Sequence, residues 1–227
     1  MSLNFSYDDL RTNSNASASL QKQDGDFTEL AAVYGLTYDK RNRTFMPTDG
    51  SVFGFVQSLP IYADKPFIDN TFRFSTYHEF NENYVGSGKI FLSAINGLND
   101  EDVRLSKRKT LSTRRLRGFS KGKIGPVDGN DHIGGNYAAA VNFDVNLPNL
   151  LPDSSNTDVS FFVDFGNVWE VDYDDSLDDS NKLRSSTGVN ASWISPIGPM
   201  TFTLATNLSK ASTDTTESFN FNLGTSF

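Results

Sequence analysis

Hydrophobic and polar residues alternate with a period of two along most of this 227-residue chain, and a helical period of 3.6 is almost absent. The alternation is clearest in residues 134–147 and 158–169, where large apolar side chains share one face and small or polar ones share the other. This pattern predicts β-strands at residues 2–8, 15–22, 27–39, 53–61, 70–80, 85–97, 134–147, 158–169, 183–194, 200–208 and 218–227, the first two only weakly patterned.

The lengths of these segments indicate a membrane protein. Most span roughly nine to thirteen residues, which exceeds the five or six of ordinary globular strands and suits strands that cross a bilayer. The second face is rich in Asn, Ser, Thr and Gly, as expected for the wall of a water-filled lumen, and the large residues would then face lipid. We therefore predict an all-β fold, a transmembrane antiparallel β-barrel of about ten strands. A large soluble β-sandwich or β-helix is the alternative.

The chain is predicted to be one domain, because no Gly/Ser-rich linker or repeated unit divides residues 1–227. Unpaired sheet edges cannot face hydrocarbon, and the N-terminal strands carry the weakest pattern. We therefore expect this domain to be the C-terminal part of a larger barrel. Turns at residues 47–50 and 195–199 should lie at one end of the strands, with the longer loops at the other.

Residues 99–133 form the longest stretch without strand patterning and hold the densest positive charge of an acidic chain, whose net charge is −8. Loops of this length in a compact fold are usually functional or disordered. The acidic balance makes nucleic acid an improbable partner for the basic cluster. Its cations are Lys107, Arg108, Lys109, Arg114, Arg115, Arg117, Lys121 and Lys123.

Composition removes several classes of site and segment. The absence of cysteine excludes disulfides and thiolate metal ligands. The apolar runs are too short for a transmembrane helix, and the N-terminal residues do not resemble a signal peptide.

Four stretches in register resemble motifs of the BamA family, the outer-membrane protein assembly factors of Gram-negative bacteria, and of its POTRA-bearing superfamily. The stretches are LRGF at 116–119 with IGP at 124–126, FFVDFGNVW at 161–169, WISPIGPM at 193–200, and YDKRN at 38–42 with FMPTDG at 45–50. The order and spacing agree over residues 27–227. One departure is that the glycines that usually precede the RGF motif are replaced here by KTLSTRR at 109–115.

The resemblance implies that residues 99–133, which we call the inward loop, fold back into the barrel. It also implies a contact between Arg117 and Asp164 that holds the loop to the wall. The strand pattern independently places Asp164 and Gly166 on the lumen face, where a bidentate pair would be strong and directional. Gly118 would allow a tight backbone beside the pair, and the loop-to-wall motif is completed by two apolar residues, Leu116 and Phe119.

The last strand has two expected roles. Phe219, Phe221, Leu223 and Phe227 would face lipid, with an aromatic residue at the interface. The resemblance further implies that this strand forms one side of a seam that opens laterally and pairs with incoming strands. The expected partners are then the outer-membrane bilayer, unfolded outer-membrane proteins and, in a full-length protein, periplasmic POTRA domains and accessory lipoproteins.

No catalytic, metal or cofactor site is predicted. The two histidines, His78 and His132, show no spacing that suggests a Ser/His pair, and the acidic loop at 172–179 lacks the ligand spacing of a calcium loop. We interpret that loop as solvated and external. The predicted function is folding and insertion of β-barrel proteins in the bacterial outer membrane, without covalent chemistry. The alternatives are a secretion or autotransporter-assembly relative and a passive porin-like channel.

Overall fold

The computed structural model describes residues 1–44, 46–81, 84–147, 157–195 and 198–224. One antiparallel sheet of ten strands dominates it, and each strand pairs with the next long strand along the chain. These strands are β1 (Ser2–Leu10), β2 (Gly25–Asp39), β3 (Gly50–Ala63), β4 (Phe67–Asn81), β5 (Tyr84–Gly97), β8 (Tyr137–Asn146), β9 (Thr157–Trp169), β10 (Arg184–Ser195), β11 (Gly198–Ser209) and β12 (Phe219–Leu223).

The remaining elements are short. Helix α1 (Ala18–Gln21) lies between β1 and β2, and a two-residue hairpin of β6 (Val127–Asp128) and β7 (Asp131–His132) lies between β5 and β8. Single 3₁₀ turns occur at Leu105–Lys107 and Asp175–Leu177. No helix in the described ranges is long and apolar enough to cross a membrane.

The all-β, antiparallel prediction is confirmed, and so is the number of strands. Among the described residues β1 and β12 do not pair with each other, so the sheet is open. Five of the connections between strands lie at one end of the sheet. They include the three-residue connection at 64–66 and the long connection at 98–136.

One local expectation was wrong. Residues 15–22 contain α1 rather than a strand, because contacts with the inward loop decide their conformation: the backbone N–H groups of Ser17 and Ser19 donate to Asp131 and Asp128. Pro60 lies inside β3, where a register shift opposite it accommodates a residue without an N–H donor.

The two faces of the sheet have different surroundings. One face carries large exposed side chains, among them Phe5, Tyr38, Phe143, Phe161, Leu204 and Phe219. The opposite face of β8 and β9 is buried under the inward loop, and the main apolar core forms between them. That core consists of Leu111, Leu116, Phe119, Ile124, Ala138, Ala140 and Val168.

Candidate functional site

The inward loop lies across the sheet because it presents apolar residues to a wall of small ones. Leu116 and Phe119 are almost fully buried and pack in one cluster with Ala138 and Ala140 of β8. Burying a side chain of this size stabilises the folded state by about 1.5–3 kcal/mol. The loop therefore has its own hydrophobic reason to occupy the interior.

Gly166 of β9 makes this approach possible. A Cβ at this position would lie 3.0 Å from Cδ1 of Leu111 and 3.1 Å from the carbonyl oxygen of Ala139. A larger residue would thus push the loop away from the wall. At Gly166 the inner face of β9 therefore provides room for the loop to approach, and no side chain.

Arg117 lies at the centre of the loop and faces two carboxylates of the wall. Its Nε and Nη2 donate to the two oxygens of Asp164 at 2.7 and 2.6 Å, and its backbone N–H donates to the same carboxylate at 3.0 Å. Nη1 donates to Asp144 at 2.6 Å. The guanidinium also lies 3.7 Å from the centre of the Phe162 ring. The guanidinium is therefore fixed by hydrogen bonds around its edge and by a ring against its plane.

The charges of this group balance. Lys89 contacts Asp144 at 3.3 Å, so two cations oppose two carboxylates, and Asp164 is fully buried. Burial opposes the charged form of Arg117, but the hydrogen bonds and the attraction of Asp164 and Asp144 outweigh it and raise the pKa of the guanidinium. Arg117 thus remains a cation at every physiological pH. Asp144 lies on the face that the strand pattern assigned to the lumen, but its contact with Arg117 was not predicted.

Gly118 provides the turn that the neighbouring contacts require. Its φ is +86°, a region that favours glycine. An added Cβ would meet Ala205 Cβ and Asn207 Nδ2 at 3.2 Å and Ser186 Cβ at 3.3 Å. The Gly118 carbonyl accepts from Asn207 Nδ2 at 2.9 Å and from the backbone N–H of Glu217 at 3.0 Å. The motif therefore contacts β10 and β11 as well as β9.

The flanking cations, which the sequence left unexplained, contact acidic residues on several elements. Lys107 contacts Glu29 of β2 at 2.8 Å, and Lys109 contacts Asp69 of β4 at 2.5 Å. Arg108 pairs with Asp172 and donates to Asn136 at 2.8 Å. Three of the flanking cations therefore have acidic partners within the protein.

The interpretation of residues 172–179 as a solvated loop was incomplete. Asp172 accepts from the backbone N–H of Val103 at 2.7 Å besides pairing with Arg108. Asp179 pairs with Arg184. The acidic loop is a partner of the basic one, because carboxylates close to buried guanidinium groups offset the cost of burying them.

Sequence reasoning missed two further buried arginines. Arg104 contacts Asp8 of β1 at 3.0 Å and Glu29 of β2 at 2.9 Å. Arg184 at the start of β10 contacts Asp214 at 2.8 Å. Neither arginine belongs to a motif, and Asp8, Glu29 and Asp214 lie 30 or more residues away from them in the sequence. The only sequence signal is the excess of acidic residues in the neighbouring loops.

A polar cavity of about 600 Å³ adjoins the inward loop and is lined by Lys89, Arg114, Asp158 and Trp193 among others. His78 is exposed, and His132 lies in β7, where burial and then the nearby Lys123 lower its pKa. Within the described ranges, no group of His, Asp and Glu side chains could hold a metal ion.

The terminal strand β12 pairs with β11 from Met200 to Leu204. Phe219, Phe221 and Leu223 are exposed on the outward face, the one expected to contact lipid. Phe227 lies outside the described residues.

Comparison with known proteins identifies the architecture. The whole chain, residues 1–227, matches the family model described as the Omp85 superfamily domain. It is 28% identical over 204 residues to outer membrane protein assembly factor BamA of Neorickettsia risticii. The aligned region covers 87% of this chain and 27% of that protein. A SAM50-like protein of Schizosaccharomyces pombe is 30% identical over 152 residues, covering 62% of this chain and 31% of that protein.

A solved structure is similar in fold. The crystal structure of BamA from Haemophilus ducreyi lacking POTRA domains 1–3 superposes with a TM-score of 0.81 at 26% identity, covering 86% of this chain and 42% of that chain. The present chain spans about a quarter of the length of the curated BamA relatives it matches, 27% and 24% in two cases.

These similarities confirm the predicted class, a transmembrane antiparallel β-barrel of the type found at the C-terminal end of BamA, and the predicted location in the bacterial outer membrane. The chain therefore belongs to the Omp85 superfamily.

Proposed function

We propose that residues 1–227 form the C-terminal barrel region of a protein that folds and inserts β-barrel proteins into the bacterial outer membrane through a lateral seam. The observation that carries this proposal is the attachment of the inward loop to β8 and β9 by Arg117, Asp164 and Asp144. The relatives' names, which describe assembly factors, support the same function.

Mechanistically, the loop-to-wall motif fixes the inner surface while the last strand remains a short edge. Five residues of β12 pair with β11 in the described part of the sheet. An edge with unpaired backbone groups can accept a new strand by β-augmentation. A wall that is rigid beside such an edge keeps the edge available without collapse of the lumen. No covalent chemistry is required.

The proposal includes the partners. The exposed apolar face would contact lipid, unfolded outer-membrane proteins would be the substrates, and periplasmic POTRA domains with accessory lipoproteins would deliver them. We expect the protein to aggregate in buffer without detergent, because that apolar face would contact water.

The test is assembly in a reconstituted system. The whole protein in phospholipid vesicles should accelerate folding of a urea-denatured outer-membrane barrel protein relative to empty vesicles, as measured by the gel mobility of unheated samples. Arg117→Met should reduce this acceleration, whereas Arg114→Met, at an exposed neighbour, should not. Equal folding rates with and without the wild-type protein would contradict the proposal.

Planar-bilayer recording separates this function from a passive porin-like channel. The inward loop packs over the polar face of β8 and β9, so we expect a small, flickering current. A large and steady conductance would favour the channel.

A further inference from the structure

The last strand has a short ladder with the rest of the sheet in the described residues, which end at 224. Within them the register between β11 and β12 runs from Met200–Leu223 to Leu204–Phe219, whereas β11 pairs with β10 from Gly198 to Ser209. Two more backbone bonds flank this ladder, from Ala205 N–H to the Ser218 carbonyl and from Gly224 N–H to the Pro199 carbonyl. The first marks the point where the last connection meets the sheet. Something other than the ladder must fix the preceding residues.

Residues 210–218, which we call the last connection, turn inward and pair with the inward loop. Phe119 and Thr216 form an isolated antiparallel bridge. Ser120 N–H donates to the Thr215 carbonyl, and Glu217 N–H donates to the Gly118 carbonyl, each at 3.0 Å. The path into β12 is therefore built directly on the RGF motif.

A buried ion pair holds the same connection from the other side. Nε of Arg184 donates to both oxygens of Asp214 at 3.2 and 3.0 Å, and Nη2 donates at 2.8 Å. Both side chains are fully buried. Asp214 also accepts from the backbone N–H of Ala211 at 2.6 Å, which fixes the turn of the connection. Asn167 and Asp179 complete the surroundings of the guanidinium.

We propose that Arg184 is a positioning residue for β12: by holding Asp214 it fixes the last connection against the inward loop and thereby sets the path of the last strand. The role of β12 as one side of a seam rests on the proposed function, but its dependence on Arg184 does not. Removal of one partner from a buried pair leaves the other charge uncompensated. The connection then separates from the inward loop, and β12 keeps only its short ladder.

Spin labels test this in the whole protein in phospholipid vesicles. Residues 1–227 contain no cysteine. With any cysteine elsewhere in the whole protein replaced by serine, Phe143→Cys and Leu223→Cys introduce two unique label sites, both exposed on the outward face. They lie four strands apart, about 19 Å across the sheet, and the registers place them about six residues, or about 20 Å, apart along the strands, so their separation is about 28 Å. Double electron–electron resonance should give one narrow distribution of distances between the two labels in this protein, which we call the narrow distance. Arg184→Gln and Asp214→Asn should each lose that narrow distance.

Arg104→Gln is the matched control, because Arg104 is equally buried but pairs with β1 and β2. It should keep the narrow distance. A narrow distance that persists in Arg184→Gln, or is lost equally in Arg104→Gln, overturns the proposal.

If Arg184→Gln fails to fold, two proline substitutions in the last connection test the proposal instead. Glu217→Pro removes the N–H that bonds to Gly118, whereas Ser212→Pro lies in the turn of the same connection and removes no bond described there. Loss of the narrow distance only in Glu217→Pro supports the proposal, and an equal result in both overturns it. Because the measurement uses no substrate, a wild-type protein inactive in assembly would overturn the proposed function and leave this inference standing.

Discussion

Arg115 and Arg117 lie two residues apart in the inward loop, yet their surroundings shift the pKa values of their guanidinium groups in opposite directions. Arg117 donates to Asp164 and Asp144, and these carboxylates raise the pKa of its guanidinium. Arg115 lies 3.2 Å from the centre of the Phe91 ring, and no carboxylate in the described residues pairs with it. Burial, together with the charge of Arg73, lowers the pKa of Arg115 to about 10.

The difference separates two reasons for a cation inside a barrel. Arg117 is part of a balanced set of charges whose geometry fixes the loop. Arg115 is tolerated because it is only partly buried and an aromatic face accepts it. Removing the first should therefore damage the structure, and removing the second should not.

The largest expected effect is that of Arg117→Met. It leaves Asp164 buried without its cation and Asp144 with Lys89 alone, which should cost about 3–5 kcal/mol of stability. Urea denaturation in lipid vesicles, followed by tryptophan fluorescence, measures the change. Arg115→Met is the comparison, and a similar loss in both variants would show that the two arginines are equivalent.

The two carboxylates should differ as well. Asp164 accepts three hydrogen bonds from Arg117, while Asp144 accepts one and has Lys89 as a second partner. We expect Asp164→Asn to cost about 2–3 kcal/mol and Asp144→Asn about 1 kcal/mol in the same denaturation experiment. The reverse order would mean that Asp144 is the main attachment of the loop.

Gly118→Ala tests the backbone beside Arg117 rather than its charge. A residue with a side chain is strained at a φ of +86°, and the new methyl group would meet the side chains of β10 and β11. The expected loss is about 1–2 kcal/mol. Gly129→Ala is the control, since its φ is +61° but nothing lies within 4 Å of an added Cβ. If both variants lose equal stability, the contacts around Gly118 are unimportant.

The smallest effect is expected at Arg115. Phe91→Leu keeps an apolar residue but removes the ring under the guanidinium, and should cost about 0.5–1 kcal/mol beyond the change in packing. In the Arg115→Met background the same substitution should lose only the packing part. A double-mutant cycle without coupling would rule out the cation–π contact.

The sequence predicted the parts of the fold that follow from local pattern. Alternation placed Asp164 and Gly166 on the inner face and Phe161 on the outer one. It did not predict the pairing of Arg184 with Asp214 or of Arg104 with Glu29, because these contacts join loops and strand ends that are distant in sequence and have no period. The segment at 15–22 was misjudged for the same reason, since acidic residues of the inward loop decide its conformation.

Because the charges around Arg117 are buried, their attraction should depend little on the salt concentration outside the cell. Mobile ions screen exposed charges over about 10 Å at 0.1 M salt but reach buried pairs poorly. The exposed pair of Arg11 with Asp9 should weaken as salt concentration rises. The bonds between Arg117 and Asp164 should not, so the inward loop should stay docked equally well in fresh water and in brine.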